Sequence, residues 1–68
     1  MDRTQFLQIC QAQAVKGSQL VKYGKNKYIP LFYSLKFDVK GNPIHTAVIK
    51  DISANCIMDV RLQDVEEV

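Results

Sequence analysis

The chain is poor in the residues that build reactive centres. Its 68 residues include no tryptophan, one histidine (His45), two cysteines (Cys10 and Cys56), three glycines and two prolines. Two cysteines and one histidine, far apart in sequence, fall short of a four-ligand zinc site and lack its short paired spacing. Around Asp51 and Asp59 the alternate-ligand series of a calcium loop is missing. Gly17, Gly24 and Gly41 stand alone, and Gly24-Lys25 has neither the upstream glycine nor the following Ser/Thr of a phosphate cradle. No metal and no cofactor is therefore expected. The longest apolar run, residues 28–33, is far below the length of a membrane span and reads as a strand. No apolar segment follows Asp2 and Arg3, so no signal peptide is expected. The chain is expected to be cytoplasmic, with both thiols free and buried.

Acidic residues are scarce in the middle and cationic ones at the end. Residues 16–50 carry Lys16, Lys22, Lys25, Lys27, Lys36, Lys40 and Lys50 against Asp38 alone. The last eighteen residues carry Asp51, Asp59, Asp64, Glu66 and Glu67 against Arg61. The net charge of +2 hides this sorting. It points either to a polar binding surface or to two segments that neutralise each other on folding.

What remains has the pattern of one small α+β domain over residues 1–68. A core of this size supplies about 3–5 kcal/mol of net stability. Residues 2–16 read as a helix. Asp2 caps it, with Gln5 at capping-box spacing, and Thr4 is an alternative cap. Phe6, Ile9, Cys10, Gln13 and Ala14 form the inner stripe, which Leu7 widens. Lys16 and Gly17 suit its C-terminal end. Antiparallel strands are expected at about 19–23, 27–38, 44–50 and 56–62, with a possible fifth at 65–68. From Ile29 to Phe37 the odd positions are all apolar, which places Ile29, Leu31, Tyr33, Leu35 and Phe37 on one face. Pro30 implies an edge or a bend there. Lys40-Gly41-Asn42-Pro43 is the strongest turn. Cys56, Met58, Val60 and Leu62 alternate inward, leaving Ile57 out of pattern. One helix over a short meander implies a strongly bent sheet of four or five strands, an SH3-like barrel or roll.

Several of these segments have a wider likeness. Lys27-Tyr28-Ile29-Pro30, Tyr33 to Asp38, Gly41-Asn42-Pro43, His45-Thr46-Ala47 and Lys50-Asp51 through Ala54-Asn55, behind Phe6-Leu7 in a short helix, resemble small uncharacterised proteins encoded by phages and prophages of Gram-positive bacteria. The resemblance spans most of the chain. It implies a mobile-element origin and brings no functional residues with it.

Enzyme chemistry has few candidates. His45, beside Thr46 and near Asp51, would need a nucleophile and an orienting group to act as a base. Cys56 with His45 is the one conceivable nucleophile pair, and a thiol on an apolar inward face has its pKa raised, against thiolate chemistry. A chain this short also leaves little room for a substrate pocket. The expectation is a non-enzymatic module with no small-molecule ligand and no membrane contact.

The basic, aromatic segment Lys22 to Tyr28 is the strongest binding candidate. Its lysines could neutralise phosphates and its tyrosines stack on unpaired bases. They could meet an acidic protein, or simply solvate an edge against aggregation. The absence of arginine speaks against base readout. An acidic tail beside this segment would repel nucleic acid, which favours a protein partner or self-association, with nucleic-acid binding as the alternative. Lys22, Lys25, Lys27, Tyr28 and Phe32 are the expected contact residues. Phe32 and Ile57 qualify as apolar side chains on otherwise polar faces.

Overall fold

A computed structural model describes residues 1–17 and 19–68. The helix α1 spans Arg3–Lys16. Asp2 caps it, its Oδ1 accepting from the Gln5 backbone N–H at 2.7 Å. Gly17 closes it at φ +69°, a left-handed conformation that glycine reaches without steric cost. Phe6 is the buried residue of this helix, and Ile9 and Cys10 pack around it against the core. Gln13 turns its place in the stripe to polar use, its Oε1 accepting from the Gln19 N–H at 2.8 Å and tying the helix to the approach of the first strand. Ala14 and Leu7 are exposed, so the inner stripe is narrower than the spacing implied.

Five strands follow: β1 Val21–Tyr23, β2 Asn26–Phe37, β3 Pro43–Asp51, β4 Ile57–Arg61 and β5 Val65–Glu67. A 3₁₀ turn, Leu62–Asp64, separates β4 from β5. All pairs are antiparallel and the order is β4-β3-β2-β1-β5. The α+β class and the strand positions match the pattern in the sequence, fifth strand included. The barrel does not: β4 and β5 lie at opposite edges, so the sheet is open and α1 covers one face. Closure would need these edges to meet, and β5 instead crosses to the free side of β1.

The core lies between α1 and that face. It holds Phe6, Val21, Tyr28, Ala47, Ile49, Leu62 and Val65. Pro30 is fully buried beside them. The odd-position stripe of β2 is broken. The register against β3 shifts between Pro30 and Phe32, leaving Leu31 as the extra residue of a β-bulge. One extra residue exchanges the two faces of a strand. Before the bulge Tyr28 and Pro30 face the helix and Ile29 faces away. After it Tyr33 joins the core rim and Phe32 faces away.

Beyond α1 the β2–β3 hairpin runs on as a two-stranded arm, which helps give the molecule extents of 37 × 24 × 17 Å. The Asp38 carboxylate holds its turn, accepting from the N–H groups of Lys40 and Asn42 at 2.9 Å each. Asp51 does the same between β3 and β4, accepting from the N–H groups of Ser53 and Ala54. Asn55 takes the left-handed conformation, φ 53°, anticipated from its residue type.

Candidate functional site

The face of the sheet away from α1 has no element packed on it. Cross-strand partners share a face in an antiparallel sheet, so the register gives its side chains row by row. Lys27, Lys22 and Glu66 form one row across β2, β1 and β5. Ile29, Lys50 and Ile57 form the next across β2, β3 and β4, followed by Phe32, Val48 and Asp59, then Ser34, Thr46 and Arg61. Phe32 is 56% exposed and Ile57 64%. Val48, between Phe32 and Asp59 in its row, is buried. Lys36, further along the hairpin arm, bonds the Asp59 carboxylate and holds its pKa below the usual carboxylate range. The face thus carries Lys22, Lys27, Lys36, Lys50 and Arg61 against Asp59 and Glu66, around an apolar centre.

Lys22, Lys25, Lys27 and Phe32 are exposed, as a contact surface requires. Tyr28 is not. It is 7% exposed, belongs to the core, and meets Tyr23 edge-on at 6.2 Å between ring centroids. Its even position turns inward because the bulge lies after it. Neither tyrosine is splayed out for a base to stack on. The acidic tail lies beside β1 as the fifth strand, with Glu66 opposite Lys22. The two oppositely charged segments therefore do meet, at the Lys36–Asp59 ion pair and where Glu66 faces Lys22 across the strands, while Lys25 and Lys27 keep their exposure.

A second feature was not legible in the sequence. A cleft of about 400 Å³ is lined by Met1, Asp2 and Arg3, by Pro43, Ile44 and His45, and by Arg61, Leu62 and Gln63. It joins three segments remote in the chain. Its volume is within the range of ordinary ligand pockets, contrary to the expectation from chain length. His45 lies there with its Nδ1 hydrogen-bonded to the Tyr33 hydroxyl and its ring stacked on that of Tyr33, centroids 5.8 Å apart. The Arg3 guanidinium sits over the Tyr33 ring, 5.3 Å from its centroid.

No cysteine lines the cleft. Cys10 is half-buried and its thiol pKa is raised by that burial. Cys56 is exposed, contrary to the inward placement expected from its alternation with Met58 and Val60, because it lies in the connection before β4 begins. Both thiols are free. Among the described residues no cluster of three His, Cys, Asp or Glu side chains could hold a metal ion. No helix among them is long and apolar enough to cross a membrane. No protein-family model, curated protein or solved structure matches this chain.

Proposed function

We propose that the chain is a small non-enzymatic protein-interaction module, of phage or prophage origin, which presents its open sheet face to an acidic protein partner. The observation that carries this reading is Phe32, more than half exposed beside Val48 on a face that no helix covers. Burying the parts of Phe32 and Ile57 still exposed to water is favourable by about 1–2 kcal/mol each, an anchor for a modest interface. The excess of cations over Asp59 and Glu66 on that face selects the partner's charge. A second copy of the chain would bring the same cationic rim against its own, which costs rather than gains energy.

Nucleic acid is the less favoured reading. Tyr28 lies in the core, and Glu66 stands in the same row as Lys22 and Lys27. An acid among the lysines opposes phosphate at that spot.

The test is affinity purification from the native host with wild-type protein and with Phe32→Ser, followed by calorimetric titration of the purified, identified partner. The expected result is an acidic partner that Phe32→Ser loses at unchanged melting temperature. A partner retained equally by both proteins removes the reading. A concentration-dependent dimer abolished by Phe32→Ser replaces the acidic partner with a second copy, and salt-sensitive binding to DNA or RNA replaces it with nucleic acid.

A further inference from the structure

The β3 strand is paired unequally on its two sides. Toward β2 its partners run from Pro43 opposite Phe37 to Asp51 opposite Tyr28. Toward β4 they begin only at Thr46 opposite Arg61. After Arg61 the chain leaves the sheet through the 3₁₀ turn, whose Leu62 is anchored in the core. From Pro43 to His45, therefore, the outer edge of β3 has no neighbouring strand among the described residues. The cleft is lined by Pro43 to His45 and by Arg61 to Gln63, which puts it beside that free edge, where β4 stops. At about 3.3 Å per residue, three free positions present an edge of about 10 Å.

The charge of the cleft fits one kind of occupant. Arg61 closes the end where β4 stops, and Arg3 stands on the α1 side, restrained by its contact with the Tyr33 ring. His45 lines the same cleft, its Nδ1 hydrogen-bonded to the Tyr33 hydroxyl. The one acid in the lining, Asp2, is engaged in capping α1. Unpaired strand edges accept extended peptides by main-chain hydrogen bonds, and flanking side chains decide which peptides. Pro43 contributes no N–H, so pairing falls to the outward backbone groups beyond it.

We propose that the free edge of β3 at Pro43–His45 takes an extended acidic peptide segment as an added strand in line with β4, with Arg3 and Arg61 holding its carboxylates. This site lies at the β3 edge, away from Phe32, and shares Arg61 with the cationic rim of that face.

The experiment titrates ¹⁵N-labelled protein with the capped hexapeptide (Glu-Val)₃, with its lysine counterpart (Lys-Val)₃, and with two versions of the acidic peptide N-methylated at alternate residues. N-methylation removes donors from one side of an extended peptide and leaves its charge intact. The expected result is saturable binding of the acidic peptide alone, with shifts centred on the amides of Ile44, His45 and Leu62. One methylated version loses at least about tenfold in affinity while the other is little changed. Arg3→Gln and Arg61→Gln, each checked for an intact melt, weaken binding several-fold. Equal binding of both methylated versions, shifts centred on the outer edge of β4 or on the Phe32 face, or no binding at millimolar peptide overturns the proposal. Binding of inorganic phosphate with no response to peptide overturns it too, and makes the cleft a small-anion site. Because Arg61 also belongs to the rim of the Phe32 face, Arg3→Gln, which lies outside that face, is the variant that separates this proposal from the Phe32→Ser comparison.

Discussion

Lys22 stands directly opposite Glu66 across the β1–β5 pair, with Lys27 on its other side. The single acid relieves the repulsion between two neighbouring lysines. Glu66→Lys would put three cations in one cross-strand row. Like charges directly opposite destabilise a sheet, here by about 0.5–1 kcal/mol. The urea midpoint should fall at low ionic strength and recover partly in 1 M salt, where the charges are screened. A midpoint unchanged at low salt would contradict the pairing.

Phe6 fills the centre of the core and is fully buried. Phe6→Ala should cost about 3–5 kcal/mol, comparable to the whole stability of a domain this small. The variant should be largely unfolded at 25 °C by circular dichroism. Phe6→Leu should cost about 1 kcal/mol, remain folded, and melt about 4–8 °C lower. A folded alanine variant would mean that α1 is not what closes the core.

Gly17 ends α1 at φ +69°, its N–H donating to the Gln13 carbonyl at 2.8 Å. A Cβ placed there would meet nothing within 4 Å. The cost of Gly17→Ala is therefore conformational, about 1 kcal/mol, and Gly17→Asn should cost less. Equal chemical-denaturation midpoints for wild type and Gly17→Ala would remove the left-handed cap from the argument.

Asp38 and Asp51 each hold a turn by accepting backbone N–H bonds, Asp38 first from Asn42 and Asp51 first from Ser53. Those bonds keep both carboxyls below the usual range. A depressed folded-state pKa contributes stability above the unfolded value, near 3.9, and that contribution is lost as pH falls through the folded value. Stability should be flat above about pH 5 and decline below it. The pair Asp38→Asn with Asp51→Asn should be less stable at pH 7 and show a shallower acid decline. An unaltered slope in the double variant would locate acid sensitivity elsewhere.

Local chemistry was legible in the sequence. Asp2 and Gly17 mark the ends of α1 because capping is decided within a few residues. Lys40 to Pro43 marks the turn for the same reason. Face assignment failed where a single residue intervened. The run from Ile29 to Phe37 looks continuous, but the bulge at Leu31 sends Ile29 and Phe32 to the open face and Tyr28 to the core. Alternation alone carries no sign of such an insertion, although the buried Pro30, lacking an N–H, was a hint of irregularity. Phe32 was recognised as out of place because even positions near it are polar. The cleft was not, since its walls come from residues 1–3, 43–45 and 61–63 and no local pattern joins them.

The place of β5 beside β1 also sets a timetable for synthesis. The ribosome delivers β1 early, and β2, β3 and β4 must all emerge before its second neighbour exists. Throughout that interval Val21 and its flanking amides wait for a partner that only Val65–Glu67 supplies. Newborn chains are thus most prone to sticking together until Val65–Glu67 arrives, and a premature stop anywhere upstream of Val65 makes that exposure permanent.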